Sequence, residues 1–124
     1  MILGTSGVLS GTPAAAGTFS FAVTVTDGAG CSGSQNYLVT VVNPPVISLM
    51  KKTSPPFKLV VTGSNLQSGI RVYIDGTAWT SVVWKNSGKI QLTGAIKTAA
   101  PKGSTKTFHF VNPDGGEATM TWGW

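Results

Sequence analysis

Thr18-Phe19-Ser20-Phe21-Ala22-Val23-Thr24-Val25-Thr26 is the stretch that decides the class of this fold. Phe19, Phe21, Val23 and Val25 alternate with Thr, Ser and Ala, so an extended chain carries the apolar side chains on one face and small, mostly hydroxylated ones on the other. Asp27-Gly28-Ala29-Gly30-Cys31-Ser32-Gly33 follows as a run of turn formers, and Gln35 to Val42 returns with Tyr37, Val39 and Val41 in phase. The spacing predicts a long hairpin with one apolar face. Upstream, Gly7-Val8-Leu9-Ser10 makes only a short strand before Ser10-Gly11-Thr12-Pro13 ends it.

Downstream, Asn43-Pro44-Pro45 is a short, stiff linker, after which a second series of strands begins. Val46 to Met50, Phe57 to Thr62, Ile70 to Asp75, Ala78 to Lys85, Lys89 to Thr93, Thr105 to Asn112 and Ala118 to Trp122 give seven expected strands separated by turn signals. Gly63-Ser64-Asn65-Leu66 and Asn112-Pro113-Asp114-Gly115-Gly116 are the most pronounced of those turns. Short strands at regular spacing with Gly- and Pro-rich turns predict an all-β sandwich. The domain boundaries expected are 1–43 and 44–124, with almost no helix, since no run of Glu, Lys, Ala and Leu at helical spacing occurs.

Charge divides the chain at the same place. Residues 1–43 hold one charged side chain, Asp27, whereas residues 44–124 hold all nine basic groups against Asp75, Asp114 and Glu117. A basic field attracts acidic polymers; Lys51, Lys52 and Arg71 are the candidate basic surface. The reading favoured for the lysines as a set is that they keep strand edges soluble. Cys31 is the single cysteine, so no disulfide forms within the chain. No stretch is long and apolar enough to span a bilayer, and no export signal opens the sequence. Met1-Ile2-Leu3-Gly4 looks like a start placed within a longer sequence, with any such signal lost upstream.

The residues of the second series carry a family resemblance. Residues 44–123 resemble an IPT/TIG domain: Pro45-Val46-Ile47-Ser48 opens it, Leu59-Val60-Val61-Thr62-Gly63-Ser64-Asn65-Leu66 matches its turn, and Val111-Asn112-Pro113-Asp114-Gly115-Gly116 matches its final hairpin. The resemblance implies an immunoglobulin-like β-sandwich, a fold found in plexins, transcription factors and bacterial surface and starch-degrading proteins. Residues 5–42 resemble the C-terminal part of a bacterial Putative-Ig module through Gly7-Val8-Leu9-Ser10-Gly11-Thr12-Pro13, Gly17-Thr18-Phe19 and Val25-Thr26-Asp27. The strands that normally precede the Ser-Gly-Thr-Pro turn are missing. A partial module leaves apolar side chains and unpaired backbone open to water. Residues 1–43 are therefore expected to pack on the second module, on a neighbouring domain, or on a second copy of the chain.

Catalytic chemistry finds no foothold. His109 has the opposite parity from Phe108 and Phe110 and so faces solvent or an edge, with no nucleophile-elbow pattern elsewhere. One His and one Cys far apart make no metal ligand set, and four scattered carboxylates make no glycosidase pair. Asp27-Gly28 and Asp114-Gly115 read as turns in which the carboxylate caps backbone N–H groups. No catalytic residue, metal or cofactor is assigned. The aromatic residues are the remaining constellation: Trp79 and Trp84, with Tyr73, are the candidate ligand-binding residues, because exposed aromatic faces stack on sugar rings. Trp122 shares parity with Ala118 and Met120 and suits the core. The expectation is a non-catalytic spacer or adhesion module of a bacterial secreted or cell-surface protein. The alternative is a carbohydrate-binding accessory module of a polysaccharide-degrading enzyme. Specific nucleic-acid binding and membrane insertion are not expected.

Overall fold

The computed structural model describes residues 1–124, and the chain separates into two units, Met1–Val42 and Asn43–Trp124. It is an all-β protein, 56% strand and 3% helix, as the missing helical spacing predicts.

In the first unit, β1 (Ile2–Leu3) pairs with β2 (Leu9–Ser10), and β3 (Gly17–Thr26) pairs with β4 (Ser32–Val41), each pair forming its own two-stranded antiparallel sheet. The β3–β4 ladder runs without a bulge from Gly17 opposite Val41 to Thr26 opposite Ser32. Its turn is closed by Asp27, whose Oδ1 accepts the N–H groups of Ala29 and Cys31 at 2.9 Å each. Register sets Phe19 across from Val39 and Phe21 across from Tyr37, with the last two rings stacked at 5.9 Å between centroids. The alternation predicted for this hairpin is therefore its geometry. No residue of the unit reaches full burial, since the whole buried core lies beyond residue 42.

The second unit is an immunoglobulin-like β-sandwich. One sheet has the order β5 (Val46–Thr53), β6 (Lys58–Ser64), β10 (Lys89–Leu92), β9 (Val82–Asn86). The other has the order β12 (Glu117–Gly123), β11 (Thr105–Val111), β7 (Arg71–Ile74), β8 (Thr77–Trp79). Between them lie Leu59, Val61, Val72, Ile74, Ile90, Leu92, Phe108 and Phe110, all contributed by alternate positions of the central strands. Burying a side chain of this size stabilises the fold by about 1.5–3 kcal/mol.

One expectation is corrected here. Ala78 to Lys85 is not one strand: the chain leaves one sheet after Trp79, turns through Thr80-Ser81, and enters the other at Val82. The Ser81 carbonyl holds that crossing by accepting the Thr93 N–H at 2.9 Å and the Thr93 hydroxyl at 3.3 Å. The unit thus has eight strands rather than seven. Thr-Ser within a β-rich run does not break the apolar pattern, so periodicity alone hides the corner. A single helical turn, α1 (Ile96–Ala99), also joins the sheets, and its Ile96 is fully buried as a plug on the core.

Candidate functional site: a polar clamp on the entering chain

The three turn motifs that stand far apart in the sequence meet at one end of the second unit. Asn112 is the centre of the meeting and the one fully buried polar side chain. Its amide Nδ2 donates to the Asn65 carbonyl at 2.7 Å and to the Asn43 carbonyl at 3.4 Å, while its Oδ1 accepts the Gln67 N–H at 3.1 Å. A buried amide is tolerated only when its donors and acceptor are paired, and each partner here is a backbone group.

A second layer surrounds it. Asn65, at φ 57°, occupies the left-handed region that Asn tolerates better than most residues, and its Nδ2 reaches Asn43 Oδ1 at 3.2 Å and the Pro44 carbonyl at 3.3 Å. Asp114 Oδ2 accepts from Gln67 Nε2 at 2.6 Å and from the Asn43 N–H at 3.4 Å, and Oδ1 accepts the Gly116 N–H at 2.9 Å. Hydrogen bonds from the Gly116 backbone and the Gln67 side chain stabilise the charged form and hold the Asp114 carboxyl below its ordinary range. Pro45 is buried directly beyond.

Gly116 shows how closely the entering chain is held. A Cβ on that residue would stand 2.8 Å from Pro44 Cα and 3.0 Å from the Asn43 carbonyl oxygen, so only glycine lets the two backbones approach. The arrangement fastens residues 43–45 to the loops at 65–67 and 112–116. It has no nucleophile and no acid–base pair, and chemically it is a fastening.

The residues singled out from sequence are distributed as follows. Trp79 lies on β8 and packs against the core, its indole Nε1 buried without a partner. Trp84 lies on β9 in the other sheet, 41% exposed, with Nε1 donating to the Leu66 carbonyl at 2.8 Å. The two indoles therefore belong to different sheets. Tyr73, on β7, faces outward with its ring 5.9 Å from that of His109, and a recess of about 360 Å³ borders Tyr73, Trp79, Arg71 and Thr80. Lys51 and Lys52 lie on β5, whereas Arg71 lies on β7 of the facing sheet, so the structure does not bring the three together. Lys52 Nζ sits 3.8 Å from the centre of the Trp124 ring.

Remaining titratable groups are accounted for locally. His109 Nε2 contacts Glu117 Oε2 at 2.6 Å on the outer face of the β11–β12 ladder. Asp75 accepts from the Thr107 N–H and from Lys106 Nζ, each at 2.9 Å, and the Thr107 bond first and Lys106 second lower its carboxyl below the ordinary range. Cys31 is an exposed free thiol on the first unit. No helix is long and apolar enough to cross a membrane.

Sequence reading identified each of the three motifs singly and did not join them. The signal available was the recurrence of Asn within turn motifs at residues 43, 65 and 112, the first and last of them directly before Pro. A comparison with curated proteins finds no match. Residues 1–42, the whole of the first unit, match the family model described as the Putative Ig domain, and that match supports an immunoglobulin-like module there.

Proposed function

We propose that the chain is a non-catalytic spacer or adhesion piece of a secreted or cell-surface protein, built from immunoglobulin-like units in series, the second of them of the IPT/TIG type. The observation that carries the reading is the clamp. Asn112, Asn65 and Asp114 divide their bonding capacity between the chain segment that enters the second unit and the loops at 65–67 and 112–116 that receive it. A fastened entry transmits position and load from whatever precedes it into the sandwich, which is what a spacer requires. The opposed placement of Trp79 and Trp84 supports the same reading, because a stacking platform needs both rings on one face.

Affinity electrophoresis against neutral and acidic polysaccharides tests it, with salt varied and Trp84→Ala and Trp79→Ala as controls. A spacer shows no retardation by a neutral glucan. Retardation abolished by Trp84→Ala overturns the proposal in favour of a carbohydrate-binding module, and salt-sensitive retardation by acidic polymers alone assigns the effect to the lysines.

A further inference from the structure

Three contacts along one margin of the second unit share a single sequence spacing. The Gly116 backbone lies against Pro44, the Met50 carbonyl accepts the Trp122 indole N–H at 2.9 Å, and Lys52 Nζ stands 3.8 Å from the centre of the Trp124 ring. In each pair the second residue follows the first by 72 positions. A constant spacing means that β5 and β12 run in the same direction and keep in step, although they belong to different sheets. Both are edge strands: β5 pairs only with β6 and β12 only with β11, through seven registered residue pairs in each ladder. Trp124 is a second fastening, at the far end of this margin from the clamp. Its Nε1 donates to the Ala100 carbonyl at 2.8 Å, its own carbonyl accepts the Gly103 N–H at 2.7 Å, and its ring packs on Phe57 at 5.2 Å between centroids.

We infer that this margin is a tension-bearing lock, in which a pull between the segment entering at Asn43 and the end of β12 slides β5 against β12 and loads all of their cross-links at once. β5 leads away from the clamp and β12 leads toward Trp124, so opposed forces on the two ends act along both strands and in opposite senses. In that direction the close approach at Gly116, the Trp122 hydrogen bond, the Lys52 cation over its ring and the backbone ladders share the load, and a strand leaves only when they break together. Pulled from one end, the same contacts open singly, each bearing the whole load. Forced unfolding is governed by the unfolding barrier, and bonds broken at the transition state add their full worth to it. The opposite margin needs no such lock, since the chain itself crosses between the sheets at Thr80-Ser81. The inference rests on the spacer reading and deepens it by giving the load a path.

Single-molecule force spectroscopy on the full chain tests it. The exposed thiol of Cys31, upstream of the clamp in sequence, takes one handle, and a tag added after Trp124 takes the other. The comparison direction combines Cys31→Ser with Ser54→Cys, which moves the first handle to the exposed turn after β5, at the same end of the margin as Trp124. The expected unfolding force in the first direction is roughly twofold or more that in the second, a readout that needs no change to the lock itself. Trp122→Phe, which takes the indole donor from the Met50 carbonyl, speeds unfolding under load roughly fivefold in the first direction. Lys52→Met, an exposed change that keeps the apolar stem and removes the cation, acts in the same sense by roughly twofold. Thr93→Val, which removes the hydroxyl bond at the opposite margin, leaves the rate under load unchanged. Equal forces in the two directions, a rate untouched by both Trp122→Phe and Lys52→Met, or an effect of Thr93→Val as large as theirs each overturns the inference. Those outcomes leave the spacer reading standing, since retardation by polysaccharide decides that separately.

Discussion

Asn112 and Asn65 are 47 residues apart in sequence and joined by a hydrogen bond of 2.7 Å, from the side-chain amide of the first to the backbone carbonyl of the second. That bond ties the turn after β6 to the turn after β11, and the same amide reaches on to the Asn43 carbonyl. One buried side chain thereby supports three loops.

Removing it should be costly. Asn112→Ala leaves the Asn65 carbonyl and the Gln67 N–H without their partner, and unpaired buried groups cost about 1–3 kcal/mol each. The expected loss is roughly 2–4 kcal/mol in the unfolding free energy of the second unit. Urea denaturation followed by tryptophan fluorescence measures it, and a loss below about 1 kcal/mol would show that the loops hold without the clamp.

Gly116→Ala tests the approach of the entering chain. The new methyl meets Pro44 Cα at 2.8 Å, so backbone must shift, and the expected cost is about 1–3 kcal/mol. A crystal structure or backbone chemical shifts of the variant should place the perturbation at residues 43–45 rather than across the sheets.

Acid should weaken the second unit in a defined direction. Asp114 and Asp75 both titrate below the ordinary carboxylate value when folded, so their contribution is fully present above that value, about 3.9 in an unfolded chain, and is lost as pH falls through the folded values. Thermal melts from neutral pH to acid should be level above the ordinary value and fall below it. Asp114→Asn, which cannot titrate, should make the acid decline shallower, while lowering stability at neutral pH.

Trp84→Phe should cost about 1 kcal/mol, more than the few tenths usual for an exposed position, because the Leu66 carbonyl loses the indole donor. Equilibrium unfolding measures the loss. A neutral outcome would mean that water replaces the indole N–H at that carbonyl.

Most of the fold was legible in the sequence because period-two alternation is local. Phe19 to Val25 and Tyr37 to Val41 show their face without reference to anything else, and Phe108 and Phe110 do the same for β11. Two features were not legible. The corner at Thr80-Ser81 depends on hydrogen bonds from Thr93, and the plug at Ile96 depends on a gap between sheets, both long-range facts with no imprint on neighbouring residues. The clamp lay between these cases. Its turns were readable one by one, but their convergence follows from the order of strands in the two sheets, which turn chemistry does not determine.

That strand order also makes the two margins of the sandwich unequal. At one margin β8 passes into β9 through Thr80-Ser81, so the sheets are stitched together by the chain itself. At the other margin β5 and β12 are joined by the Trp122 indole donating to the Met50 carbonyl at 2.9 Å. The sandwich is bound like a book, with its spine at residues 80–81 and a latch at residue 122.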